Sequence, residues 1–210
     1  MTRAARQRVE QFRPLVAFDF DGTLTHRDSF RDFLAWRSGL WNYRLGLACL
    51  APNALKWFGD RDRGRLKGAM VARFFAGAPS ADLMEDARRF AAARSEALLR
   101  PDALRRWRHW QGQGARLIIV TASPEIIVAP FAHGLGADML IGTRLACDAN
   151  ARLTGALEGP NCRGPEKVAR LRAVFGPHVR LEAAYGDSDG DREMLALADE
   201  AGMKVFGERP

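Results

Sequence analysis

Cysteine is scarce in this 210-residue chain: Cys49, Cys147 and Cys162 are odd in number and widely scattered. No two have the spacing of zinc ligands or of a redox pair. This excludes a disulfide-stapled fold, and free, buried thiols in a reducing compartment are expected. The opening stretch, Met1 to Arg13, lacks an apolar run and carries Arg3, Arg6, Arg8 and Arg13, so it does not read as a signal peptide. The expected place is the cytoplasm, either free or peripheral on the inner membrane face. The four histidines, His26, His109, His133 and His178, form no close pair and suit surface or packing positions. Internal repeats, low-complexity segments and zinc-finger or RNP-like modules are missing, so nucleic acid is not an expected partner.

Apolar residues, at 47%, are ample for a buried core and exclude a disordered chain. The length fits one domain, or one core domain with an insertion. The formal charge of +7 is unevenly placed: Arg27 to Gln113 holds 17 basic and 9 acidic residues, whereas 114–210 holds 11 and 13. A basic middle favours an anionic substrate or an anionic membrane surface.

The chain is organised around Val16 to Thr25. Leu15 to Phe18 reads as a buried parallel strand, and it ends in two carboxylates, Asp19 and Asp21, followed by Gly22 and Thr23. A two-residue step on extended chain puts both acids on one face. Side by side they repel and are costly to bury, and a bound cation or a shared proton relieves them.

After Thr25 the period becomes helical. Phe30, Phe33, Leu34 and Trp36 follow Asp28 or Ser29 as N-cap, with Gly39 as a stop. Leu40 to Phe58 is the most apolar stretch, interrupted by Arg44 and Lys56 and kinked or divided at Pro52. It reads either as the core of a helical insert or as an interfacial helix at lipid headgroups. Helices are expected at Asp62 to Ala76, at Ser80 to Leu99 with Ser80 as N-cap, and from Pro101 through Trp107 and Trp110. No convincing strand occurs from Thr25 to Gln113. The expected division is therefore a core of residues 1–25 and 114–210, with an inserted helical segment of residues 26–113.

Strand and helix signals then alternate. Strands are expected at Arg116 to Val120, Met139 to Ile141, Leu181 to Tyr185 and near Met203 to Phe206, with a hairpin of Thr143 to Cys147 and Leu153 to Leu157. Helices are expected at Glu125 to Leu135, Gly164 to Phe175 and Arg192 to Ala198. Such alternation implies an α/β fold, a mostly parallel sheet with helices on both faces. Three strand ends carry polar groups: Asp19 and Asp21, Thr121 and Ser123, and Asp187 and Asp191. Lys167 lies at a helix start. Acids from two strand ends, a hydroxyl from a third and a lysine form a site for Mg²⁺ and phosphate.

The segments DFDGTLT at 19–25, TAS at 121–123, Lys167 and GDSDGD at 186–191 resemble, in order and spacing, the four signature motifs of the haloacid dehalogenase-like phosphohydrolases. The resemblance covers a Rossmann-like core. The helical insertion resembles the cap of the phosphoserine-phosphatase-like subfamily, often labelled IB. It implies that Asp19 is the nucleophile forming an aspartyl-phosphate and that Asp21 is the general acid, then base. It also implies that Thr121, Ala122 and Lys167 bind the phosphoryl group. Asp19, Asp187 and the backbone carbonyl of Asp21 would hold Mg²⁺, with Ser188 and Asp191 in its outer shell. Near the cap, Asp28, Ser29 and Phe30 would meet the leaving group. Asn161 to Leu171, with Asp28-Ser29-Phe30 and an apolar basic cap helix, is similar to the phosphatidylglycerophosphatase C-like branch, whereas Thr-Ala-Ser-Pro departs from the Ser-Gly-Gly type second motif of phosphoserine phosphatases.

The expectation is a Mg²⁺-dependent phosphomonoesterase acting on a small phosphorylated metabolite or a lipid phosphate. A phosphotransferase or mutase with the same intermediate, and a non-catalytic protein of the same fold, are the alternatives.

Overall fold

The computed structural model describes residues 13–50 and 63–210. The expected helix of residues 40–58 continues past Leu50 into residues that, with Pro52, Leu55, Lys56 and Trp57, lie outside those described, as does Asp62. The chain runs β1 (Leu15–Phe18), α1 (Ser29–Ser38), α2 (Leu40–Cys49), α3 (Arg63–Phe75), α4 (Ser80–Leu98) and α5 (Pro101–Gly112). It continues through β2 (Arg116–Pro124), α6 (Glu125–Leu135), β3 (Met139–Cys147), β4 (Leu153–Glu158), α7 (Pro165–Phe175), β5 (Leu181–Gly186), α8 (Arg192–Leu195) and β6 (Ala198–Met203).

The strands form one sheet in the order β4-β3-β2-β1-β5-β6. All neighbours are parallel except β3 and β4. The period of two divides each central strand between two cores. Val16, Phe18, Leu117 and Ile119 face a core that includes Trp107 of α5 and Phe131 of α6. Ala17, Ile118 and Val120 face the other, with Leu171 of α7 and Met194 of α8. Burial on both faces explains why these strands read as continuous apolar runs.

Two expectations change at the sheet's edges. The Met139 to Ile141 strand and the first hairpin arm are one strand, β3, which pairs with β2 on one side and with β4 on the other. The last strand is Ala198–Met203, not Met203 to Phe206, and α8 stops at Leu195. As an edge strand, β6 keeps Asp199 and Glu200 in water and has no apolar run to announce it. Its buried residue is Gly202, where a Cβ would come within 2.4 Å of the Tyr185 ring. Phe206 instead packs beyond the strand, against Tyr185 at 5.4 Å. Ser80 is the first helical residue and not a side-chain cap.

Among the described residues four helices, α1 to α4, lie between two chain connections that run side by side, and α5 follows on the sheet side, with Trp107 against Phe18. Thr25 bridges Leu99, the His26 amide donates to Leu98 O (3.0 Å), and the Arg100 amide donates to Leu24 O (2.8 Å). The β3–β4 hairpin supports the helices from below. Amides of Gly77 and Ser80 donate to Leu153 O (2.7 Å) and Ala151 O (2.9 Å), and Gly155 allows Ala72 of α3 to approach closely. The helical segment is thus fixed to the sheet at a neck and at a hairpin.

Candidate active site

The order of strands reverses direction at β1, whose neighbours are β2 and β5, and ligands bind outside the carboxyl ends at such a point. The Asp19 amide continues the ladder by donating to Tyr185 O of β5 at 2.8 Å. The chain then turns over Phe20 O, which accepts from the amides of Thr23 and Thr25, with Gly22 at φ +83° completing the turn. Asp19 and Asp21 leave β1 on this turn and line a cavity of about 720 Å³.

Lys167, fully buried at the first turn of α7, ties the strand ends together. Its Nζ donates to Asp19 Oδ1, Asp191 Oδ1 and Val120 O, each at 2.6 Å. Three acceptors match the three protons of an ammonium. The other oxygen of Asp191 accepts from the amides of Asp187 (3.2 Å) and Ser188 (3.0 Å) and from the Ser188 hydroxyl (3.0 Å). Both oxygens of Asp191 are therefore engaged in holding the lysine and the loop after β5. Asp189 points away, paired with Arg192 at 2.8 Å and 81% exposed.

Asp21 is held from two elements. The Ser29 amide at the start of α1 donates to Oδ1 at 2.6 Å, and the Ser123 hydroxyl at the end of β2 donates to Oδ2. Thr121 is buried, and its hydroxyl accepts from the Ser123 amide at 3.0 Å, which leaves its proton free to donate. Asp28 and Phe30 line the cavity wall, while Ser29 is buried behind it with a hydroxyl that finds no partner among the described residues. His26 and Arg163 also reach the cavity. His26 Nδ1 lies 3.1 Å from Leu98 O, and Arg163 donates to Ser188 Oγ at 3.3 Å while lying across Gly190.

Several cavity residues, among them Arg27, Arg31, Leu66, Lys67 and Met70, carry no mark in the sequence. Lys67 of α3 donates to Ala122 O and to Asn161 Oδ1 (3.2 Å), joining the helical segment to the end of β2. Thr143 of β3 donates to the same carbonyl at 2.7 Å and lies 3.0 Å from Asn161 Oδ1. A lysine in a basic helical stretch has the sequence signature of a solvated charge, so only its position after folding marks it.

The electrostatics follow from burial. Burial pushes the Asp19 carboxyl up to about 7 against the pull of Lys167. Burial and the charge of Asp28 push Asp21 up to about 6, opposed by the Ser123 and Ser29 donors. For Lys167, burial alone would lower the ammonium, but Asp19 and Asp191 overcome it and leave it above its ordinary value. For Asp191, the upward push of burial is outweighed by Lys167 and Ser188. Asp187 is raised by burial and by Asp191, and Lys67 is lowered by burial. Of the three cysteines expected to be buried, Cys49 and Cys147 are exposed and Cys162 is buried beside the site, where burial pushes its thiol up to about 11 and removes it as a nucleophile.

Asp19, Asp187 and Asp191 each bring a carboxylate oxygen within 4.8 Å of the others. With one ammonium among these acids and an all-oxygen donor set, the cluster fits a hard divalent cation such as Mg²⁺. Both oxygens of Asp191 are occupied, whereas Asp19 gives only Oδ1 to Lys167 and keeps Oδ2 with no more than a 3.5 Å contact from the Thr23 hydroxyl.

A family model described as haloacid dehalogenase-like hydrolase matches residues 16–196. Protein CicA of Caulobacter vibrioides is 57% identical over 197 residues, covering 93% of this chain and 88% of that protein. A phosphoserine phosphatase of Halobacterium salinarum is 31% identical over 191 residues, covering 89% and 83%. Among solved structures, a Bordetella pertussis protein of unknown function superposes with a TM-score of 0.72 at 22% identity, covering 88% of this chain and 86% of that one. That last likeness concerns the fold alone.

Proposed function

Because the chain belongs to the haloacid dehalogenase-like hydrolases, in their phosphoserine-phosphatase-like subfamily, and is a phosphatase, we propose that it hydrolyses a small phosphorylated metabolite through an aspartyl-phosphate on Asp19. The observation that carries this reading is the buried Lys167 clamping Asp19 and Asp191 at adjoining strand ends, with Asp21 two residues on and facing the same cavity. Asp19 attacks phosphorus while Thr121, the Ala122 amide and Lys167 take the phosphoryl charge. Asp21 protonates the leaving oxygen and then removes a proton from the water that cleaves the intermediate.

Asp19, Asp187 and the Asp21 carbonyl are the residues to hold Mg²⁺, with Asp191 and Ser188 behind them. When bound, Mg²⁺ neutralises phosphoryl oxygens and lowers the repulsion between nucleophile and substrate. Helices α1 to α4 act as a cap that shelters the reaction and selects the leaving group, whereas α5, inside the expected insertion of residues 26–113, packs on the sheet through Trp107 against Phe18 at 5.0 Å. Besides Asp28 and Phe30, the cap contributes Arg27, Arg31 and Lys67 to the cavity wall, a set suited to an anionic metabolite.

A lipid phosphate is the second reading, supported by the exposed Leu40, Trp41 and Leu45 of α2, which are 58%, 72% and 49% accessible. No helix among the described residues is long and apolar enough to cross a membrane, so contact would be peripheral.

The test is phosphate release with Mg²⁺ from phosphoserine, histidinol phosphate, sugar phosphates, nucleotides and dispersed phosphatidylglycerophosphate, for the parent and for Asp19→Asn. Turnover by the parent alone is expected, on a soluble ester. Equal activity in both proteins would refute the mechanism. Preference for the lipid ester with binding to anionic vesicles would select the second reading, and transfer of phosphate to an added alcohol in place of water would indicate a phosphotransferase.

A further inference from the structure

The two donors that grip Asp21 differ in kind. The Ser29 amide can only donate, so Oδ1 is fixed as an acceptor. The Ser123 hydroxyl donates or accepts, so it can stay bonded to Oδ2 whether that oxygen is bare or protonated. Oδ2 is thus the oxygen able to carry and release a proton without losing its support. Ser123 is itself immobile. It is 3% exposed, and its amide is anchored on Thr121 Oγ1 at 3.0 Å. The next residue, Pro124, sits beside Thr143 of β3. The grip also joins the two parts of the chain, one donor coming from the helical segment and one from the sheet.

We propose that Ser123 is a positioning residue for Asp21, setting Oδ2 as the atom that passes the proton; this rests on the aspartyl-phosphate reading above. As the bond from phosphorus to the ester oxygen breaks, its electron pair stays on that oxygen, which takes the proton from Oδ2. The phosphoryl group passes to Asp19. In the second half, the attacking water returns a proton to Oδ2 as its oxygen bonds to phosphorus and the carboxylate of Asp19 departs. A group acting this way matters most when the leaving oxygen is strongly basic. It matters least when the leaving group departs readily as an anion.

The experiment compares the parent, Ser123→Ala and Ser123→Thr on p-nitrophenyl phosphate and on the alkyl phosphate the parent turns over best. The quantity read is the ratio of kcat on the alkyl ester to kcat on the aryl ester. A general loss of folded enzyme lowers both values and leaves this ratio unchanged. For Ser123→Ala the ratio is expected to fall about 10- to 100-fold, the size of a misplaced proton donor. Ser123→Thr, which keeps the hydroxyl, is expected to restore most of it. A ratio within about threefold of the parent's in Ser123→Ala, or an equal fall in both variants, overturns the assignment. A parent no faster than Asp19→Asn on either ester would overturn the catalytic reading itself, and this proposal with it.

Discussion

Gly22 stands so close to Asp187 that a Cβ on it would lie 2.1 Å from the Asp187 Oδ2. The turn after β1 and the acid after β5 are therefore shaped to each other, and the missing side chain is what lets Asp187 approach Asp19. Gly22 also has φ +83°, a left-handed conformation that costs an L-residue about 1–2 kcal/mol. Gly22→Ala combines that strain with a displaced carboxylate. Its melting temperature is expected to fall by about 4 °C or more and its turnover by at least about tenfold. Thermal unfolding and phosphate release check both parts, and parental turnover in this variant would show that the seat of Asp187 is dispensable.

In Lys167, one ammonium serves two buried carboxylates, Asp19 and Asp191, at 2.6 Å each. The site thus carries surplus negative charge that function requires and folding does not. Asp19→Asn keeps an acceptor for Nζ and reduces the surplus, so without added metal it is expected to melt at or above the parent temperature while losing turnover. Lys167→Met does the reverse: two carboxylates and Val120 O lose their shared donor, at a cost of about 3–5 kcal/mol. Both variants are inactive, yet denaturant titration should place them on opposite sides of the parent.

The order of most elements and the polar strand ends that meet at the cavity were legible for a physical reason. β1 and β2 are buried on both faces, and β5 is too apart from the exposed Glu182, so each appears as a mainly apolar run, and Asp19, Thr121 and Asp187 are marked by where the run stops. β6 was misplaced because an edge strand needs only one buried face, and Gly202 supplies that face without a side chain. Asp21 was visible as an acid, but its fixation by Ser29 and Ser123 depends on residues 8 and 102 positions away. Ser29 and Asp28 looked alike as neighbours of the first motif. Folding separates them, turning Asp28 to the cavity and Ser29 behind it.

Lys67 is the position that sequence hid most completely, and its contacts give it a specific effect. It reaches Ala122 O and Asn161 from the helical segment, so it draws α3 onto the carboxyl end of β2. Lys67→Met keeps the aliphatic stem and removes the charged donor. Losing the tether misplaces α3 over the cavity, and a misplacement of about 1 Å can cost on the order of 100-fold, so kcat/KM is expected to fall by roughly tenfold or more. The melting temperature should move little, because α3 remains packed on the β4 hairpin through Ala72 and Gly155. Steady-state kinetics on the preferred ester decides this, and an unchanged kcat/KM would mean that the tether has no part in the reaction.

The pair Trp110 and Tyr185 tests the fold apart from the chemistry. The Trp110 Nε1 donates to the Tyr185 hydroxyl at 2.9 Å, and that hydroxyl donates to Glu200 at 2.5 Å, linking α5, β5 and β6. Tyr185→Phe leaves the buried indole N–H without its acceptor, at a cost of about 1–3 kcal/mol. Turnover should be retained, because the Tyr185 group that supports Asp19 is its backbone carbonyl. A pH signature accompanies the loss. Burial, then the Glu200 contact, pushes the Tyr185 phenol from 10.0 to about 12. The unfolded chain ionises first, so the folded state of the parent loses stability as the pH rises from about 10 towards 12, while below that window this residue adds no pH dependence. In Tyr185→Phe that part of the alkaline slope should vanish. Urea unfolding at neutral pH and at pH values within the window separates the two effects: a parental slope in the variant would assign the alkaline loss to other groups.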